Sequence, residues 1–240
     1  MNLIADTHCH SISSGHAYST LEEMTIAAKK KGLYAMAITD HGVNMPGSPK
    51  QWYFENLKVL PKNINGVRVL KGIEANVCDF DGTLDLSDDI SNSVEWVVAS
   101  MHTPILSAEK STIELCTNAW LNIAKNPKVN VIGHAGQPMF AFDYEKVIPE
   151  FSKNKKLVEI NNSSFKVREG AITNCKTIAK ICKKHNVPIV VNSDAHFSSL
   201  VGNFNSALML LKEVDFPEEL IVNANLIRFK NYLLSYNIEV

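Results

Sequence analysis

Residues 157–192 read LVEINNSSFKVREGAITNCKTIAKICKKHNVPIVVN. The two ends of this stretch, Leu157–Asn161 and Pro188–Asn192, are short runs rich in Val and Ile, the composition of strands buried on both faces. Between them Ala171, Ile172, Cys175, Ile178, Ala179 and Cys182 recur at three- and four-residue spacing. They form one apolar stripe on a helix ending near His185. Strand, helix and strand in this order make a βα unit of a parallel sheet.

The same alternation extends to both sides. Leu3–Thr7, Ala35–Thr39, Val67–Glu74, Trp96–Met101 and Val129–Gly133 read as five further buried strands, seven in all. Thr20–Lys31 opens with Ser19 and Thr20 ahead of Glu22 and Glu23, a capping-box arrangement, and stops at Gly32. Helical spacing also predicts helices from Ser111 to about Lys125, from Asp143 to about Asn154, over Phe204–Val214 and over Pro217–Ser235. Seven strands with outer helices in 240 residues suit an α/β fold, a closed or partly closed (βα)7 barrel, over residues 1–240 as a single domain. An open doubly wound sheet is the competing topology. Either places its site beyond the C-terminal ends of the strands.

Composition narrows the function. The chain has 24 Lys+Arg against 25 Asp+Glu, a net charge of -1. Such a balance offers no basic excess to displace counterions from a phosphate backbone, so no long nucleic acid is expected as partner. Hydrophobic residues reach 45% and charged residues 20%, which fits a sizeable core. No apolar run is long enough to span a bilayer, so no membrane partner is expected. Met1–Asp6 lacks the basic and apolar regions of a signal peptide. Five cysteines, odd in number and without a CxxC pair, then imply a reduced, cytoplasmic protein. A homo-oligomer is compatible with all of this.

Seven of the eight histidines follow strand ends. The first strand ends in Asp6-Thr7-His8-Cys9-His10, where His8 and His10 share one side of an extended chain. His16 lies in the next loop. Then come Thr39-Asp40-His41, Gly72-Ile73-Glu74, Ser100-Met101-His102, Gly133-His134 and Ser193-Asp194-Ala195-His196. His185, in Lys183-Lys184-His185 at a helix end, reads as structural. His8, His10, His16, His41, Glu74, His102, His134, Asp194 and His196 thus converge as candidate metal ligands on one rim. Imidazoles with a few carboxylates favour Zn, Mn or Fe. Nine donors exceed what one ion takes; with a bridging carboxylate they would serve three. Adjacent divalent ions are typical equipment for phosphoryl chemistry.

These ordered motifs resemble the PHP (polymerase and histidinol phosphatase) superfamily over Asp6 to about Gly202. Glu159-Ile160-Asn161-Asn162-Ser163-Ser164-Phe165 and the length resemble its YcdX-type bacterial metal-dependent phosphatases. The resemblance implies a distorted, TIM-like (βα)7 barrel, a trinuclear zinc or manganese site and hydrolysis of phosphate esters. It implies one ion on His8, His10, Glu74 and Asp194, with Glu74 bridging to a second on His102 and His134. His16, His41 and His196 would hold the third.

The expected chemistry is attack on phosphorus by a metal-bound hydroxide, with water acidified towards a pKa of ~7. Asp194, His196 and Arg168 are the expected catalytic residues. Arg168, whose forked donors suit a phosphate, is expected to head the helix after the sixth strand. Cys9 alternates away from His8 and His10 and is not expected to react. Asp6 and Asp40 could orient imidazoles. Aromatics in Gly42–Tyr53 could meet the leaving group or pack in the core, and Lys29–Lys31 and Lys153–Lys156 read as solvated helix ends. Cys175 and Cys182 read as core. The leading function is a phosphatase of small phosphorylated metabolites. Alternatives are a histidinol-phosphate phosphatase, a phosphodiesterase or 3′–5′ exonuclease on nucleotides, and a non-catalytic metal module, which the intact ligand set disfavours.

Overall fold

Seven strands lie parallel and side by side in the computed structural model, which describes residues 1–240. In chain order the elements begin β1 (Ala5–Cys9), α1 (Leu21–Lys30), β2 (Ala35–Ile38), α2 (Gln51–Asn56), β3 (Asn63–Ile64), β4 (Val67–Asn76), α3 (Asp88–Ser93) and β5 (Trp96–Ser100). They continue α4 (Ile113–Ala124), β6 (Val131–Ile132), α5 (Tyr144–Lys153), β7 (Leu157–Asn161), α6 (Ser164–Val167), α7 (Ala171–His185), β8 (Ile189–Asn192), α8 (Asn205–Glu213) and α9 (Leu226–Ser235). The seven parallel strands pair in the order β1-β2-β4-β5-β6-β7-β8, and β3 folds back antiparallel onto β4.

The sheet closes at its C-terminal end. Asp194 N–H donates to the His8 carbonyl at 3.0 Å and His10 N–H to the Ala195 carbonyl at 2.9 Å. Below that seam side chains join β1 to β8. Buried Asn223 donates to the carbonyls of Ala5 and Val191 and accepts from Val191 N–H. The result is a distorted TIM-like barrel. Its interior is filled by small residues of β1 and β2 (Ala5, Ala35, Ala37) beside Trp96, with Phe229 and Leu233 of α9 plugging the bottom. A larger apolar layer lies between sheet and helices.

One irregularity sets up the site. Asp6 pairs with Met36 and Cys9 with Ile38, so β1 carries one extra residue there, a bulge. Ala5 packs inside the barrel, yet Cys9, of the same parity, packs in the outer layer. The bulge turns the even positions His8 and His10 inward.

Helix α1 begins as its sequence dictates: the Thr20 side chain accepts from Glu23 N–H and Glu23 accepts from Thr20 N–H. Three expectations are corrected. Helix α9 starts only at Leu226; residues 218–224 form two single turns instead of helix, with Ile221 bridged to Ile189, because Asn223 must reach into the β1–β8 seam. Lys156 is buried rather than solvated, and its ammonium donates to the carbonyls of Asn126 (2.6 Å) and Val129 (2.7 Å). Arg168 does not head α7: it lies between α6 and α7, the latter starting at Ala171 behind Gly170. No helix is long and apolar enough to cross a membrane.

Candidate metal centre

All nine candidate ligands meet at the C-terminal mouth of the barrel. Glu74, at an inward position of β4, is fully buried among imidazoles. Its Oε1 lies 3.3 Å from His8 Nε2, 3.3 Å from His102 Nε2 and 3.2 Å from His134 Nε2. Its Oε2 lies 2.7 Å from His41 Nδ1 and 3.5 Å from His10 Nε2. Asp194 Oδ1 approaches His10 Nε2 at 3.2 Å, and Oδ2 approaches His134 Nε2 at 3.7 Å. His16 Nε2 lies 3.2 Å from His41 Nε2 and 3.1 Å from His196 Nε2.

The ring orientations are set from behind. His8 Nδ1 lies 2.7 Å from Glu159 Oε1, His102 Nδ1 2.7 Å from Asn76 Oδ1, and His196 Nδ1 3.0 Å from the Asp194 carbonyl. An acceptor at Nδ1 keeps the proton there and leaves the Nε2 lone pair facing inward. Asp40 acts at one remove. It accepts from Ser14 Oγ, which lies 3.1 Å from His10 Nδ1, and it is held in turn by Ser11 and Tyr53. Asp6 touches no imidazole; it accepts from Ser193 and Gly202 N–H and so fixes the turn that carries Asp194. Asp194 in that turn and His134 in the turn after β6 both take positive φ, 56° and 49°.

The electrostatics follow from the packing. Burial alone would raise Glu74, but His102, His8 and His41 hold it well below the ordinary carboxylate range. Burial likewise opposes ionised Asp194, and His8 foremost, with His10 and His134, outweighs it. Burial pushes His10 well down, helped by His41 and His196, and lowers His134, helped by Arg168. His8 goes the other way: Glu159, Glu74 and Asp194 overcome its burial.

This donor set fits divalent metal. His8 Nε2, His10 Nε2, His41 Nδ1, both Glu74 oxygens, His102 Nε2 and Asp194 Oδ1 are buried without a hydrogen-bond partner. Buried polar atoms are rarely left so. Compact sets of donors are His8, His10 and Asp194; His41, Glu74 and His102; and His10, His41 and His196. A further set, His8, His134 and Glu159, contains a carboxylate that the sequence did not single out. Glu159 already accepts from His8 Nδ1, His134 N–H, Asn161 and Asn192, which makes it a holder of ligands.

A cleft of about 590 Å³ opens on the cluster, lined by His16, His41, His102, His134, Asp194 and His196 and by Arg168. Arg168 is fixed by Gln137 Oε1 and Ser164 Oγ, each 3.1 Å away. Met45, not the aromatics of Gly42–Tyr53, reaches the cleft; Trp52 is exposed on α2, and Tyr53 turns to Asp40. A groove of about 720 Å³ over α7 and α8 is larger but lacks any donor cluster.

A barrel with imidazoles and carboxylates gathered at its strand ends defines a class, the barrels equipped to hold divalent ions at that mouth. Within it, the chain belongs to the PHP domain family, whose model matches residues 6–168. A probable phosphatase of Acetivibrio thermocellus is 45% identical over 233 residues, 97% of this chain and 96% of the relative. One from a Thermoanaerobacter species is 47% identical over 234 residues, 97% and 95% of the two chains. The fold is similar to the crystal structure of histidinol phosphate phosphatase from Lactococcus lactis, complexed with zinc, L-histidinol and phosphate. The TM-score is 0.63 at 17% identity, covering 89% of this chain and 94% of that one.

Proposed function

We propose that this protein is a metal-dependent phosphatase that hydrolyses phosphate monoesters of small metabolites, with residues 1–240 acting as a single PHP domain. The observation that carries the reading is the set of unpartnered donors around Glu74 and Asp194 opening directly onto a cleft that holds Arg168. The naming of full-length relatives as probable phosphatases supports it.

The site residues take these roles. His8, His10, Glu74 and Asp194 would hold one divalent ion, His102 and His134 together with Glu74 would hold a second, and His16, His41 and His196 would hold a third. Zinc suits the donors best, with manganese or iron as substitutes. Bound there, such ions acidify water and neutralise charge on phosphoryl oxygens. Arg168 presents two donors to the phosphate from a side chain already anchored by Gln137 and Ser164. Glu159 and Ser14 hold His8 and His10 in the tautomer that leaves Nε2 free.

The test compares p-nitrophenyl phosphate, bis-p-nitrophenyl phosphate and a single-stranded oligonucleotide on protein loaded with Zn, Mn or Fe. The monoester should be turned over fastest. Turnover of the diester or oligonucleotide alone would replace the reading with a phosphodiesterase.

A further inference from the structure

Much of the wall of the cleft above the donors is apolar and comes from successive loops, with Thr103, Gln137 and Ser163 as its neutral polar members. Met45 follows β2, Pro104 follows β5, Met139 follows β6, Val167 ends α6 after β7, and Leu200 follows β8. Val167 is 71% exposed and Met139 49%, so these groups stand in water around an otherwise polar centre. Apart from imidazoles, the only charged residues lining the cleft are Arg168 and Asp194. Asp194 is turned inward to His8, His10, His134 and His196. The wall therefore offers no free carboxylate to a cation and no second Arg or Lys to a second phosphate.

We propose that the organic part of the substrate is uncharged and largely apolar, seated against Met45, Pro104, Met139, Val167 and Leu200 while the phosphate faces the donors and Arg168. This rests on the phosphatase reading and specifies its substrate class. A neutral chain gains by covering apolar wall. A protonated amine in the same place is stripped of water without a counter-charge and faces Arg168. A distal phosphate is stripped likewise.

Three esters of one chain length separate the cases: n-pentyl phosphate, 4-aminobutyl phosphate and the bisphosphate of 1,4-butanediol, with p-nitrophenyl phosphate as reference. On metal-loaded protein, kcat/KM for the pentyl ester should exceed that of the other two by about tenfold or more. The matching phosphonates should rank the same way in Kd by calorimetry. Val167→Asp, on an exposed single-turn helix, should shrink the pentyl-to-aminobutyl ratio several-fold by supplying the missing carboxylate. Equal rates, or preference for the amine or the bisphosphate, would overturn the substrate class while leaving the phosphatase intact. Failure of all four esters would overturn the phosphatase reading, and the substrate class with it.

Discussion

Glu159 sits at an inward position of β7, fully committed to its neighbours: His8 Nδ1, His134 N–H, Asn161 and Asn192. Its charge holds one candidate ligand by the ring and another by the backbone. Glu159→Gln keeps the shape but replaces one acceptor oxygen with a donor, so either His8 or His134 N–H loses its partner. Metal affinity, read by competition with a chelator, should fall roughly 10–100-fold with the circular dichroism spectrum unchanged. Unaltered affinity would remove Glu159 from the ligand support. The donors themselves were legible from spacing, because imidazoles and carboxylates just past strand ends have one common place to go. Their supports were less so. Asn76 and Ser164 are ordinary polar residues whose partners lie 26 and 30 positions away, brought to them only by the folded barrel, and Ser14 reaches His10 four positions back through a loop with no regular spacing to announce it. The signals for Glu159 were a carboxylate between apolar neighbours in a strand and its place at the head of the Glu159–Phe165 stretch that carries the family resemblance, neither of which marks it as a support for imidazoles.

At the level of elements, the helical period found α1, α4, α5, α7 and α8 because each presents an apolar stripe to the same sheet. It failed over 217–224, where the local sequence suits a helix but the barrel seam needs the amide of Asn223. The bulge in β1 was equally hidden, since an extra residue shows only against the register of β2. Lys156 is the clearest local miss. It stands just before β7 and ties the Asn126–Val129 turn to the region of α9, where its ammonium lies 5.6 Å from the centre of the Tyr236 ring. Burial pushes this lysine down to about 8. The unfolded chain, with a lysine near its ordinary value of about 10.4, then binds more protons than the native state between those two values. Stability contributed here therefore rises as pH climbs through that window. Urea midpoints at about pH 7.5 and about pH 10 should show this rise in the wild type and its flattening in Lys156→Met. An identical pH response in both would mean Lys156 keeps an ordinary pKa.

For the whole molecule, a net charge of -1 excluded a broad basic face but said nothing of where charge is concentrated. The barrel places the ionised carboxylates of Glu74, Asp194 and Glu159 with seven imidazoles at one mouth, with the apolar interior beneath. Closure of β1 onto β8 through Asp194 and His10 means that the site and the barrel seam are the same structure. The central claim is that this mouth holds divalent ions on which ester hydrolysis depends. Its most direct test is elemental analysis of the purified protein before and after exhaustive chelation, with p-nitrophenyl phosphate turnover followed in parallel. The expected result is about three divalent ions per chain, one for each three or four donors. Activity should vanish with them and return on adding Zn, Mn or Fe. Phosphate-ester hydrolysis that persists in metal-free protein would contradict it.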